Sequence, residues 1–180
     1  MNRVSLVQFF STYQTSFPEE EKFIPSFLEL LAHENCYDRN YLPGHLTGSA
    51  WIVNPEKTHV LLLLHGKLNR WMQPGGHADG DENILHVALR EAEEETGLTD
   101  LKIESTHPFD VDIHRIPERK DFPAHDHYDV RFLLQTSMDI PVVSEESHDV
   151  RWIALKELHQ YTQERSVLRM HDKLLRTDQH

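Results

Sequence analysis

Residues 76–98 of the chain have the sequence GHADGDENILHVALREAEEETGL. Apolar side chains recur in this stretch at the spacing of an amphipathic helix, which predicts a helix from about residue 81 to residue 96. Asp79 or Asp81 is expected near its N-cap, and Gly97 is expected at the position that follows its last turn. A glycine-containing loop followed by an amphipathic helix is therefore the local structure that we expect here.

Three glutamates crowd the end of this helix. Glu91 lies three and four residues before Glu94 and Glu95, so all three share one helix face. Each like-charge pair costs about 0.2–0.5 kcal/mol, and anions at the negative end of the helix dipole cost about 0.3–1 kcal/mol each. Arg90 can reach Glu94, but one guanidinium cannot neutralise three carboxylates. A hard divalent cation can, whereas the alternative is an acidic face in contact with solvent.

The same stretch resembles the signature of the Nudix hydrolase family. That signature is Gly, five residues, Glu, seven residues, Arg-Glu, an aliphatic residue, any residue, Glu-Glu, any residue, Gly and an aliphatic residue. Ala92 fills the first aliphatic position with a small side chain. The other positions are occupied in register by Gly76, Glu82, Arg90, Glu91, Glu94, Glu95, Gly97 and Leu98. The resemblance covers about residues 47–160.

The resemblance implies a fold and a chemistry. The fold is α/β (α+β), an α/β/α sandwich with a mixed sheet, here preceded by an N-terminal helical extension. The activity is hydrolysis of a pyrophosphate bond, and the cofactor is Mg²⁺ or Mn²⁺. The metal ligands carried over by the motif are Glu91, Glu94 and Glu95. Arg90 would orient these glutamates, Glu82 would support the loop and helix, and Gly76 and Gly97 would permit tight backbone at each end.

The motif identifies the general base less clearly than it identifies the metal ligands. In relatives it is a glutamate of the motif or one in a loop before the closing strand. Glu91 is therefore expected as a ligand and as the base, with Glu146 or Glu145 as the rival. For each of these two loop residues, an acidic surface position is the alternative interpretation.

Outside the motif, the chain divides into two predicted parts. Residues 1–45 are expected to form an N-terminal helical extension, and residues 46–180 the Nudix domain with its C-terminal helices. Within the second part, strands are expected at about 50–53, 59–65, 100–106, 109–116, 127–136 and 149–154. A helical tail is expected from residue 155 to about residue 175.

Composition narrows the class of partner. The 180 residues include 30 acidic and 18 basic ones, for a net charge of −12. Duplex nucleic acid and anionic membranes are therefore not expected as partners, because their binders need a basic surface. The longest apolar run, residues 60–64, is far too short to span a membrane.

The single Cys36 favours a reducing compartment, and the cytoplasm is the expected location. The family resemblance also implies a homodimer.

Fourteen histidines are unusual for this length. His125 and His127 alternate around one residue, so on a strand they share a face with Asp129 and Arg131. His77, His127 and Arg131 are candidates for contact with substrate phosphate or ribose. Because neighbouring strands can bring histidines together, a zinc site is an alternative, although no zinc-ligand spacing is present.

The sequence therefore predicts a divalent-metal-dependent Nudix hydrolase acting on a nucleoside diphosphate-linked small metabolite, with ADP-ribose as one example. Two alternatives are kept. The first is a catalytically silent module that senses a nucleotide, and the second is a zinc-binding protein that uses the histidines.

Overall fold

In the computed structural model, which describes residues 1–120, 122–145 and 147–177, the chain forms a mixed sheet with helices on both faces. The helices are α1 Arg3–Thr12, α2 Pro18–Leu31, α3 Ile84–Thr96, α4 Leu158–Tyr161 and α5 Arg165–Thr177. The strands are β1 Gly44–Val53, β2 His59–His65, β3 Trp71–Met72, β4 Gly75–His77, β5 Lys102–Ile103, β6 Asp110–Ile116, β7 His125–Gln135 and β8 Ser147–Ala154. This architecture confirms the expected mixed α/β fold with N-terminal helices.

The two longest strands form the centre of the sheet. β1 and β7 run parallel and pair along their whole length, from Gly44 opposite Asp126 to Val53 opposite Gln135. The other strand pairs are antiparallel: β2 and β4 flank β1, β5 and β6 flank β7, and β3 and β8 pair with β2. β1 therefore connects both halves of the sheet, and it lies beside the loop and helix of the motif.

Successive residues of β1 contribute to two separate cores. Ala50 and Ile52 pack with residues of α1, α2 and α3 on one face of the sheet. Trp51 and Val53 pack on the other face with residues of β2, β8 and α5. This alternation is expected for a strand buried on both faces, because successive side chains point in opposite directions. All ten residues of β1 are buried.

The N-terminal segment is helical, as predicted, and forms the two helices α1 and α2. α2 begins at Pro18, whose fixed φ suits the first helical position, and three glutamates follow in the first turn, where anions are favourable. Phe10 of α1 stacks on Phe27 of α2 with ring centroids 4.5 Å apart. Both rings belong to the same core as β1 and α3. The division into a 1–45 extension and a 46–180 domain stays a prediction.

The motif helix begins slightly later than expected. α3 starts at Ile84, with Asn83 rather than Asp79 or Asp81 as its N-cap. Asp81 instead accepts a hydrogen bond from the Asn83 N–H at 2.8 Å, which stabilises a turn before the helix. At the other end Gly97 has a φ of 71°, a left-handed conformation that favours glycine, as expected.

The predicted C-terminal helix is interrupted. A 3₁₀ turn at Leu155–Glu157 leads into α4, and the chain becomes extended at Thr162 before α5 begins. The hydroxyl of Thr162 accepts a hydrogen bond from the Glu164 N–H at 3.2 Å, a local contact that competes with helical pairing. In the described part of the chain, no helix is both long enough and apolar enough to cross a bilayer.

Candidate active site

The three motif glutamates line one cleft. The cleft has a volume of about 520 Å³, and its wall includes Glu91, Glu94 and Glu95 of α3 together with Gly75 and Gly76 of β4. The backbone N–H of Gly75 donates a hydrogen bond to Glu95 Oε2 at 2.8 Å. The helix and the neighbouring strand therefore direct all three side chains to one cleft.

Arg90 lies among the glutamates that it was expected to orient. Its Nη1 is 2.8 Å from Glu91 Oε1 and 3.4 Å from Glu94 Oε2. Its Nη2 donates to the backbone carbonyl of His77 at 2.9 Å. One guanidinium thus holds two carboxylates and ties α3 to β4, which limits the rotamers of both glutamates.

Glycine at position 76 allows a close approach between β4 and Glu91. A Cβ at Gly76 would lie 2.5 Å from the carboxyl carbon of Glu91, a distance that real Cβ contacts do not show. The Glu91 side chain is therefore confined between this strand and Arg90. Burial raises the pKa of the Glu91 carboxyl above its ordinary range, even though Arg90 lies against it.

This donor set fits a hard divalent cation. Carboxylate oxygens are the ligands that such cations prefer, and here three carboxylates share a cleft, two of them in contact with Arg90. Burial, the main cause of the raised pKa of Glu91, disfavours its charged form, and a bound cation would offset that penalty.

The sheet contributes a polar wall that the sequence did not indicate. Asp129 is buried, and its carboxylate accepts hydrogen bonds from Thr47 Oγ1 at 3.1 Å and Ser49 Oγ at 2.9 Å. Gln73 Nε2 lies 3.3 Å from the same carboxylate. All four residues line the cleft. The alternation of Thr47 and Ser49 along β1 was the available signal, but only the pairing with β7 connects it to Asp129.

Arg131 does not have the position expected for a phosphate ligand. It is 2% exposed, and its guanidinium forms ion pairs with Asp110 at 3.1 Å, Asp112 at 3.3 Å and Asp129 at 2.7 Å. Arg169 of α5 joins the network by a bidentate contact to Asp110, with both distances 2.8 Å. These carboxylates already occupy the Arg131 guanidinium, so its position argues for a structural role rather than the expected substrate contact.

Two of the predicted histidines line the cleft, and a third, missed residue joins them. His77 of β4 and His127 of β7 are both in the cleft wall. His45 of β1 contacts both of them, with ring centroids 5.2 Å from His77 and 5.0 Å from His127. We call His45, His77 and His127 the histidine cluster. No spacing in the sequence indicates His45, because its partners come from distant strands.

The remaining predicted residues lie outside this cleft or outside the described part of the chain. Glu82 pairs with Arg3 of α1 at 3.2 Å, so it links the motif loop to the N-terminal helix. Arg3 also donates to the carbonyls of His33 and Glu34 beyond α2. Glu145 is exposed. Glu146 lies outside the described residues, so its expected role as the base remains a prediction.

Comparison with known proteins identifies relatives for most of the chain. The family described as NUDIX domain matches residues 44–174. The mouse asymmetrical bis(5'-nucleosyl)-tetraphosphatase is 30% identical over 104 residues, which cover 58% of this chain and 69% of the relative. A probable DHNTP pyrophosphohydrolase of Lactococcus lactis is 30% identical over 118 residues, covering 64% of this chain and 69% of the relative.

Solved structures show the same fold. A NUDIX family hydrolase from Clostridium perfringens superposes with a TM-score of 0.59 at 24% identity, covering 72% of this chain and 95% of that protein. The MutT protein from Methanosarcina mazei gives a TM-score of 0.60 at 20% identity, covering 77% of this chain and 97% of that protein. At these identities the likeness concerns the fold.

Proposed function

The chain belongs to the Nudix hydrolase family, and from this premise we propose that it hydrolyses a pyrophosphate bond in a nucleoside diphosphate-linked small metabolite with the help of Mg²⁺ or Mn²⁺. The observation that carries the proposal is the set of three carboxylates, Glu91, Glu94 and Glu95, that faces one cleft beside Gly75 and Gly76. Pyrophosphohydrolase activity is common to the relatives, so the metal and the metabolite are the parts proposed here.

Glu91, Glu94 and Glu95 would hold the cation. When bound, a divalent cation supplies charge neutralisation at the phosphorus oxygens and lowers the pKa of the attacking water. The protein contributes the positions of the ligands. Arg90 restrains Glu91 and Glu94, and the Gly75 N–H restrains Glu95. In the reaction the water oxygen bonds to phosphorus, the bridging P–O bond breaks, and the leaving group departs as a phosphate.

A base must accept the proton of the attacking water. Glu91 is the first candidate, because its carboxylate lines the cleft and lies against Gly76. Glu146 is kept as the rival base. Glu91→Gln and Glu146→Gln, compared under saturating metal, separate the two, because the variant that lacks the base loses kcat even when metal binding is restored.

The proposed substrate is a phosphate-rich nucleotide. The relatives named above act, by their names, on a bis(5'-nucleosyl) tetraphosphate and on DHNTP, and neither name points to ADP-ribose. Lys67 and Arg119 add positive charge to the cleft wall, which suits several phosphates in a row. We therefore rank dinucleoside polyphosphates and nucleoside-type triphosphates above ADP-ribose as substrates. A homodimer and a cytoplasmic location complete the proposal, and light scattering would test the dimer.

A substrate screen tests this proposal. The purified protein with Mg²⁺, and then with Mn²⁺, is offered diadenosine tetraphosphate, dihydroneopterin triphosphate, nucleoside triphosphates, nucleotide sugars and ADP-ribose, and products are identified by mass. We expect one class of polyphosphate to be cleaved at least about tenfold faster than ADP-ribose. Nucleotide binding without turnover of any compound would instead support the sensing module.

A matched pair of variants ties the turnover to the cleft. Glu95→Gln removes a proposed ligand, whereas Glu93→Gln removes the same charge from an exposed position on the same helix. We expect kcat to fall at least about 100-fold in Glu95→Gln and to stay within about twofold in Glu93→Gln. Equal turnover in both variants would contradict the assignment of Glu95 as a metal ligand.

A further inference from the structure

Imidazole nitrogens converge at one place on the cleft wall, apart from the carboxylates of α3. We infer that the histidine cluster, His45, His77 and His127, binds a divalent transition-metal ion of the Zn²⁺ class. This site is additional to the proposed Mg²⁺ or Mn²⁺ site, and it uses different ligands on different strands.

Strand pairing assembles the cluster. His45 of β1 lies directly opposite His127 in the parallel pair with β7. His77 of β4 lies opposite Thr47, which is two residues from His45 and therefore on the same face of the sheet. One ligand atom from each of the three histidines lies within 4.8 Å of the others. Three adjacent strands thus direct nitrogen donors to one point, and strands are rigid supports for such a site.

The orientation of His45 leaves a nitrogen lone pair for a ligand. Its Nδ1 lies 3.3 Å from the carbonyl oxygen of Tyr41, which can only accept, so the proton is on Nδ1. Its Nε2 therefore carries a lone pair. The side chain is 1% exposed, and Nε2 has no hydrogen-bond partner among the described residues. A buried polar atom without a partner costs free energy, and a metal ion at this position would remove that cost.

His125 provides a second nitrogen oriented in the same way. Its Nδ1 lies 2.9 Å from the carbonyl oxygen of Pro123, so its Nε2 also carries a lone pair. That Nε2 is 3.2 Å from Nε2 of His127, from which it can accept a hydrogen bond, and this distance is also close to the separation of two nitrogens bound to one tetrahedral ion. Histidines that ligate metals usually donate their other N–H to a carbonyl or carboxylate, as His45 and His125 do here. His125 thus lies beside the cluster, in contact with His127.

The cluster is neutral, which is the form that binds metals. Burial, followed by the positive charge of Arg39, lowers the pKa of His77 to about 4. Burial and the neighbouring imidazoles hold the pKa of His127 well below its ordinary range. Unprotonated imidazoles are preferred by Zn²⁺, Cu²⁺ and Ni²⁺, whereas Mg²⁺ prefers oxygen. The chemistry of the donors therefore separates this site from the glutamates.

The location gives such an ion a role in the cleft. His77 directly follows Gly76, whose backbone lies against the Glu91 carboxylate, and its own carbonyl accepts from Arg90. His77, His127 and the three glutamates all line the same cleft. An ion in the histidine cluster would place positive charge near the acidic residues of the cleft, in a chain with a net charge of −12.

Metal binding can be measured without turnover. Untagged protein is stripped with chelator and titrated with Zn²⁺ in competition with a chromophoric chelator, and the bound metal is counted by elemental analysis. We expect one equivalent bound in the wild type and an affinity reduced at least about tenfold in His45→Asn and His127→Asn. His107→Asn is the control histidine outside the cluster, and Glu94→Gln is the control at the glutamate site. Both should bind Zn²⁺ as the wild type does.

The outcomes separate this inference from the proposed hydrolysis. Unchanged Zn²⁺ affinity in both cluster variants, loss of binding in Glu94→Gln, or no binding at micromolar Zn²⁺ would each overturn it. Circular dichroism shows whether the cluster variants fold. If they do not, the absorption spectrum of the Co²⁺-loaded wild type tests the site instead. Intense absorption bands typical of tetrahedral nitrogen coordination support the site, and the weak bands of octahedral oxygen coordination overturn it.

Discussion

At the scale of single residues, the close contact between Gly76 and Glu91 leaves no room for a side chain at position 76. A side chain at position 76 would lie 2.5 Å from the Glu91 carboxyl group. We expect Gly76→Ala to displace the flexible end of Glu91, to reduce the free energy of unfolding by about 1 kcal/mol, and to lower kcat about 100-fold through the misplaced carboxylate. Urea unfolding and steady-state kinetics measure the two effects.

A double variant checks the cause of this loss. Glu91→Asp shortens the side chain and withdraws the carboxylate from position 76. In Gly76→Ala combined with Glu91→Asp, we expect most of the lost stability to return, although activity stays low. If the stability changes of the two single variants simply add in the double variant, the contact between residues 76 and 91 is not the cause of the lost stability.

The motif residues show which features of the site can be predicted from local sequence. Glu91, Glu94 and Glu95 share a face because the helical repeat alone determines which residues are neighbours. The partner of Glu82 could not be predicted in this way, because Arg3 lies 79 residues away in α1. The same holds for Arg131. The alternation along β7 indicates a polar face, but it does not indicate which carboxylates form ion pairs with the guanidinium.

At the scale of elements, α5 is fastened to β6 by buried ion pairs. Arg169 makes two hydrogen bonds of 2.8 Å to Asp110, and both side chains are buried. We expect Arg169→Met to reduce the free energy of unfolding by about 3–5 kcal/mol, because it leaves buried carboxylates with fewer partners. Urea denaturation measures this change.

A second arginine on the same helix is the control for this prediction. Arg165 pairs with Glu19 and Asp172 at 2.7 Å, but its side chain is 50% exposed. Surface ion pairs contribute little, so Arg165→Met should cost about 1 kcal/mol or less. Equal losses in the two variants would show that burial is not the reason for the effect at Arg169.

The same ion pairs predict a dependence on pH. Burial alone would raise the pKa of Asp110, but the hydrogen bond from Arg169 and the charge of Arg131 outweigh it, so the pKa is lowered. The unfolded chain then takes up this proton first, so the stabilisation is present above the ordinary value of 3.8 and is lost as pH falls below it. We expect the stability difference between wild type and Arg169→Met to narrow below about pH 4. A difference independent of pH down to pH 2, measured by urea titration, would contradict this.

At the scale of the whole molecule, the N-terminal helices and the sheet share one core. Phe27 of α2 is fully buried and contacts Tyr128 of β7 edge to face, with ring centroids 5.4 Å apart. Phe27→Ala should therefore destabilise the entire fold by about 3–5 kcal/mol. We expect tryptophan fluorescence and circular dichroism to report one unfolding transition with one midpoint.

Val4→Ala on α1 is the matched control, because Val4 is 64% exposed and should change stability by about 0.5 kcal/mol or less. Two separate transitions in Phe27→Ala would instead indicate that residues 1–45 unfold independently of residues 46–180.

The sequence by itself determined the helix, its acidic face and its Gly97 end, since these depend on spacings of three to five residues along one element. It also indicated the strands of the sheet, because alternation and apolar runs are local patterns. The tertiary structure decided which strands are neighbours. It brought Thr47 to Asp129, 82 residues further on, and placed His45 opposite His127. Register between distant strands depends on packing of the whole sheet, so no short spacing encodes the polar wall or the histidine cluster.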